Sequence, residues 1–180
     1  MSEKSKALKK VEEEKRLSEK IMTFIPGFKG YKEKELRREA DKLIRNHLYE
    51  KLSEARSALK ESYQRLVDNR IIETWTAMDR LIAKFDRVSE KINHAFYGYS
   101  GFFDAIKIKE DRLDGLIKFD SDLLGSINET VGKAQKFKSE VADRKFTEAK
   151  TRIDELLKDI DRLEETFNRR KSAILDVMEE

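Results

Sequence analysis

The two histidines are the first side chains to test for metal or acid–base chemistry. Di-iron sites in helical bundles need a Glu-x-x-His motif on two helices. Here Ile44 lies three residues before His47, and a lysine lies three residues before His94. Glu90 and His94 are four residues apart, which suits a hydrogen bond on a helix surface. The histidines therefore predict no metal site.

The other reactive residue types form no catalytic or cofactor-binding motif. The sequence has no cysteine, which excludes disulfides and thiolate metal sites. It contains neither a glycine-rich phosphate loop nor a Gly-x-Ser-x-Gly nucleophile turn. Its many carboxylates alternate with lysine and arginine, as on solvated helix faces. We therefore predict a non-enzymatic protein with no catalytic residue, no metal and no cofactor.

A run of aromatic residues interrupts the helical pattern in the middle of the chain, where a bundle needs only a polar turn. Folding the helices brings this run to the same end as two further rings. Together they form a candidate interaction site, the aromatic tip, which comprises Tyr97, Tyr99, Phe102, Phe103, Phe28 and Tyr31. The rings either plug the end of the bundle or stay exposed to bind a partner or a lipid interface. Basic residues within 29–45 would suit anionic headgroups in the second case.

Two charged residues fall where the apolar stripe of their helix predicts a core position. Asp120 lies between Ile117 and Leu124, and Arg170 lies between Phe167 and Ile174. Such a residue either turns to the rim of the core or joins a buried polar pair that fixes helix register. Folding the third and fourth helices about residues 97–110 sets Asp120 near Arg87. We therefore predict Asp120 and Arg87 as a candidate buried polar pair with a structural role.

The strongest periodic signal in the chain runs from 146 to 177. Ten positions are spaced alternately three and four residues apart, and nine are apolar: Phe146, Ala149, Ile153, Leu156, Ile160, Leu163, Phe167, Arg170, Ile174 and Val177. A helix with this stripe must bury it against other helices. Weaker versions of the pattern predict helices over about 2–23, 32–67, 71–96 and 110–137. The sequence therefore predicts an all-α fold, with 71–96 and 146–177 in its core.

Two architectures are compatible with these helices. One is a single long antiparallel helical hairpin with arms at about 32–97 and 110–178. The other bends both arms, at 68–70 and near 138–143. It is an elongated antiparallel bundle, or coiled coil, of about four long helices plus an N-terminal helix. We prefer the bundle because helices of about 65 residues are rare and because Asp68 and Asn69 are good capping residues.

Glycine and proline indicate where the chain divides. Pro26, Gly27 and Gly30 break the first helical pattern. We therefore predict a loosely attached charged helix at 1–24, a linker at 25–31 and a single helical-bundle domain at 32–180.

Charge and hydropathy limit the partners. The chain carries 39 basic and 36 acidic residues, a net charge of +3, and the two signs alternate along every helix. A nucleic-acid-binding protein has a stronger and more segregated basic excess, so no nucleic acid is expected. No apolar run reaches the length of a membrane span, and residues 1–20 lack the apolar core of a secretory signal. We therefore expect a soluble cytoplasmic protein.

The functional prediction follows from strong helix patterning without a ligand-binding motif. We predict a non-enzymatic scaffold or adaptor that acts through protein–protein contacts, with another protein or a second copy of the chain as partner. The alternative is a peripheral membrane-associated protein that places the aromatic tip on an anionic membrane surface.

Overall fold

The structure is a computed structural model that describes residues 3–28, 34–95 and 110–175. It contains five α-helices in that part of the chain: α1 (Glu3–Phe24), α2 (Lys34–Asp68), α3 (Trp75–His94), α4 (Glu110–Ala142) and α5 (Ala149–Leu175). A short 3₁₀ turn, Ile72–Thr74, leads into α3. The described residues contain no β-strand. The predicted all-α class is confirmed.

Helices α2 to α5 form a four-helix bundle. Helix α2 packs against α3 and α4, and α5 packs against the same two helices. Ion pairs such as Arg56–Asp86 and Lys133–Asp159 show that α2 and α3, and likewise α4 and α5, are antiparallel. The order around the bundle is therefore α2, α3, α5, α4, so α3 and α4 lie diagonally across it.

Both predicted bends are present. Helix α2 ends at Asp68 and helix α4 ends at Ala142, so the long-hairpin alternative is wrong. Both helices end in the same hydrogen-bonded turn, in which the N–H groups of Ile71 and Lys145 each donate a 2.9 Å bond to a carbonyl five residues earlier. This is the Schellman motif, which requires one residue in the left-handed region. Arginine occupies that position in both turns.

Replacing either of these arginines by glycine is expected to stabilise the protein. Arg70 has φ 58° and Arg144 has φ 59°, and both side chains are exposed. A left-handed L-residue costs about 1–2 kcal/mol, while glycine adds roughly 0.5–1 kcal/mol of unfolded-state entropy. Arg70→Gly and Arg144→Gly should therefore each raise the free energy of unfolding by roughly 0.5–1 kcal/mol in denaturant titrations. The control, Arg65→Gly inside α2, should lower it by about 1 kcal/mol. A destabilising Arg70→Gly would contradict this account of the turn.

The core is continuous along the bundle. Helix α5 buries every described apolar position of its predicted stripe from Ala149 to Phe167, while Phe146, in the preceding turn, is half-buried. Helix α3 buries the stripe Met78, Leu81, Phe85, Val88 and Ile92. Trp75 and Ile82, which fit the same helical periodicity, are only half-buried, and Ile82 packs against the edge of the core. Helix α3 therefore has more apolar surface than the core covers.

Helix α1 is anchored by its C-terminal end, where it packs against α4. Ile21, Ile25 and Phe28 are all buried in the common core. Pro26 and Gly27 form a tight turn that the Phe28 N–H closes on the Ile25 carbonyl, and Gly27 supplies its φ of +89°. The thin apolar stripe of this helix did not indicate such docking. The division into 1–24, 25–31 and 32–180 stays a prediction.

Candidate interaction surface

A groove runs along the outer face of helices α2 and α3. Its volume is about 380 Å³, and only these two helices line it: Lys60, Tyr63, Gln64, Val67, Asp79, Ile82, Ala83 and Asp86. We call these eight residues the α2/α3 groove. Tyr63, Val67 and Ile82 are half-buried and form an apolar floor, while Ala83 is exposed. Beyond the turn, Ile72 adds an apolar side chain that is 64% exposed.

Two polar contacts join α2 to α3 along the groove. The Tyr63 hydroxyl donates a hydrogen bond to Asp79, and burial together with this carboxylate raises the pKa of Tyr63. Arg56 forms an ion pair with Asp86. Lys60 is exposed on the α2 wall, and among the described residues it has no ion-pair partner. The two walls therefore carry opposite charge, a cation on α2 and a carboxylate on α3.

The opposite face of α3 carries an ion-pair cluster with α5, centred on Glu164. Its carboxylate lies 3.1 Å from the Lys84 ammonium, 3.0 Å from Lys91 and 3.4 Å from Arg87. Burial alone would raise the pKa of Glu164. Hydrogen bonds and charge from the two lysines outweigh that effect and hold the pKa at about 2. The cluster joins α3 to α5.

Glu164 should make stability depend on pH in the acid range. Its folded-state pKa of about 2 lies below its ordinary value of 4.5, so its contribution is present above pH 4.5 and is lost as pH falls towards 2. Glu164→Gln should therefore flatten the pH dependence of the unfolding free energy between about pH 5 and 2. The matched control is Glu165→Gln, because Glu165 is exposed. Equal flattening by both variants would contradict the assignment.

The predicted polar pair is not formed. Asp120 is fully buried, as its position in the stripe indicated, but Arg87 is 62% exposed and contacts Glu164 instead. The contacts that fix helix register put Arg87 roughly 20 Å along the bundle axis from Asp120. The prediction assumed that α3 and α4 pack side by side, whereas they lie diagonally across the bundle. Arg45 on α2, buried at 4% exposure, is the charged core residue that sequence reasoning missed.

The aromatic tip is described at one residue only. Phe28 is 2% exposed and packs in the core, so its ring is not available to a partner. Tyr31, Tyr97, Tyr99, Phe102 and Phe103 lie outside the described residues. Binding through this tip therefore stays a prediction, which flotation with anionic and neutral vesicles would test.

The two histidines lie on different helices, His47 on α2 and His94 on α3. His94 and Glu90 form a 3.0 Å contact on the surface of α3. Burial and the Lys51 charge lower the pKa of His47, which Glu50 partly offsets. Within the described ranges, no group of three or more histidine, aspartate or glutamate side chains is placed to hold a metal ion.

None of the helices, in the part of the chain that is described, combines the length and hydropathy needed to cross a membrane. Comparison of the chain with protein-family models, with curated proteins and with solved structures gives no match.

Proposed function

We propose that this protein is a non-enzymatic scaffold or adaptor of the cytoplasm, which acts through protein–protein contacts of its helix faces. The observation that carries the proposal is the α2/α3 groove. Its apolar floor is half-exposed, and its lining comes from α2 and α3 alone. Grooves of this kind between two helices accept an amphipathic helix of a partner.

The helix that forms one wall supports this proposal. Helix α3 has a full core stripe and carries further apolar residues beyond it, of which Ile82 is half-exposed and also packs against the edge of the core. The outer face of α3 carries Trp75 and Ile82, and the turn before the helix carries the exposed Ile72. Half-exposed apolar side chains that are rimmed by charges are typical of an interaction surface.

Site-directed photo-crosslinking in the source cell tests the proposal. A photoreactive amino acid at Ala83 lies in the groove, and Ala83 is exposed, so the fold is undisturbed. The matched control is the same amino acid at Thr151, an exposed position of α5. We expect discrete crosslinks to other proteins from position 83 and none of the same bands from position 151.

Two outcomes contradict the proposal. Identical bands from positions 83 and 151 would mean that the groove selects no partner. Crosslinks from position 83 that contain this chain alone would mean that the groove joins copies of the chain and does not recruit another protein.

A further inference from the structure

The charges of the α2/α3 groove are arranged so that a second copy of the same groove complements them. Lys60 on the α2 wall is exposed without an ion-pair partner among the described residues, and Asp79 on the α3 wall is an exposed carboxylate that accepts a hydrogen bond from Tyr63. An isologous interface presents the same patch from both subunits, so a residue on one wall meets a different residue of the partner's opposite wall. A cation and a carboxylate on opposite walls satisfy that condition.

The helix register gives the geometry of the match. The Arg56–Asp86 ion pair and the Tyr63–Asp79 hydrogen bond both set antiparallel pairing of α2 and α3. In this register Lys60 is level with Ile82, and Asp79 is level with Tyr63, about one helical turn closer to the interhelical turn. Lys60 and Asp79 therefore lie diagonally across the groove.

A two-fold axis that lies in the plane of the groove mouth, passes through the midpoint of this diagonal and is perpendicular to it exchanges the two positions. Rotation about it carries Lys60 of one copy over Asp79 of the other, and the reverse contact forms at the same time. The apolar floors, with Tyr63 and Ile82 near the axis, then face each other. We propose that the protein forms a homodimer through the α2/α3 groove. This inference concerns the same surface as the proposed function but gives it a different occupant, so either can fail while the other stands.

The size of the groove sets the expected affinity. Stable complexes bury about 800 Å² on each partner. The lining residues span only 60–67 and 79–86, about 10 Å along each helix. A reversible dimer with a Kd in the range of about 1–100 µM is therefore expected.

Sedimentation equilibrium of the full chain between about 1 and 500 µM brackets that range of Kd. Lys60→Glu places two glutamates opposite the partner's aspartates, and Asp79→Lys places lysine opposite lysine. Each variant should weaken the dimer at least tenfold. An equimolar mixture of the two variants restores both attractive contacts, so it should form a heterodimer within about threefold of the original affinity.

Three controls keep the result interpretable. Lys150→Glu changes an exposed lysine of α5 and should leave the dimer unchanged. Thermal melts by circular dichroism show which variants are folded. Asp79→Lys removes the acceptor of the Tyr63 hydroxyl, so Ala83→Glu, at an exposed groove position, gives a second test and should also weaken the dimer at least tenfold.

A chain that stays monomeric at 500 µM, the upper end of the range set by that expected Kd, would overturn the inference. So would a mixture of the two charge variants that associates no better than either variant alone. If neither Lys60→Glu nor Ala83→Glu weakens the dimer, the dimer forms through another surface, which would also overturn the inference. The crosslinking from position 83 is a separate measurement. Crosslinks to other proteins, with no dimer in sedimentation, would support the adaptor and refute the homodimer. Crosslinks to this chain alone would support the homodimer and refute the adaptor.

Discussion

Phe85→Ala is expected to lower the free energy of unfolding by about 3–5 kcal/mol, the cost of truncating a buried phenylalanine. Phe85 has no exposed surface and lies in the middle of the α3 stripe, within the continuous core. Truncation removes the contacts of the ring and leaves a cavity that the surrounding helices fill only in part. Denaturant titration with circular dichroism measures the change.

The matched control is Ile72→Ala, because Ile72 is apolar but 64% exposed. Surface substitutions of this kind change stability by about 0.5 kcal/mol or less. A similar loss in both variants would mean that burial does not set the cost, and a loss below about 1 kcal/mol for Phe85→Ala would show that α3 is not held in the core as described.

The sequence predicted the buried residues of a helix correctly where that helix has a single apolar face. Helix α5 is the clearest case, since its three-and-four spacing leaves a single stripe and the structure buries it from Ala149 to Phe167. Helix α3 has a wider apolar face. Trp75 and Ile82 fit the periodicity as well as Leu81 and Val88 do, so spacing alone could not separate core residues from those of the groove.

The capping argument for the two bends was partly correct. Asp68 and Asn69 are capping types, and Asn69 Nδ2 does donate a 2.7 Å hydrogen bond to the Arg65 carbonyl. The decisive feature is the left-handed residue that follows. It is arginine in both turns, and no sequence rule favours arginine in that conformation.

The polar pair could not be predicted, because sequence periodicity places residues on faces without saying which faces meet. Consecutive helices usually pack side by side, so Asp120 was assigned to a partner on α3. Helix α4 instead lies diagonally opposite α3 and packs against α2. The helices that pack against α4, and can therefore supply a partner for Asp120, are α1, α2 and α5.

Arg45 on α2 is the candidate that the observed packing favours. Gln135 contacts Glu54 and Lys138 pairs with Glu61, so α2 and α4 run parallel and Asp120 is level with about residue 41 of α2. Arg45 lies one turn further along, and side chains on a helix lean towards its N-terminus. Arg45 is 4% exposed and Asp120 is fully buried.

We therefore predict that Arg45 and Asp120 are energetically coupled. Removing one member of a buried ion pair costs about 3–5 kcal/mol, because the other charge is left buried and uncompensated. Replacing both by apolar residues of similar volume removes both desolvation costs. Arg45→Met and Asp120→Leu should each destabilise the bundle by that amount, while the double variant should be no less stable than the better of the two single variants.

The control for this cycle is Arg87→Met, which replaces the exposed arginine of α3. Its effect should add to that of Asp120→Leu within about 0.5 kcal/mol, since the two residues are far apart. Additivity between Arg45→Met and Asp120→Leu would show that these charges do not share a contact. Coupling between Arg87→Met and Asp120→Leu would instead mean that α3 and α4 pack side by side, and that the order of helices around the bundle differs from the one described.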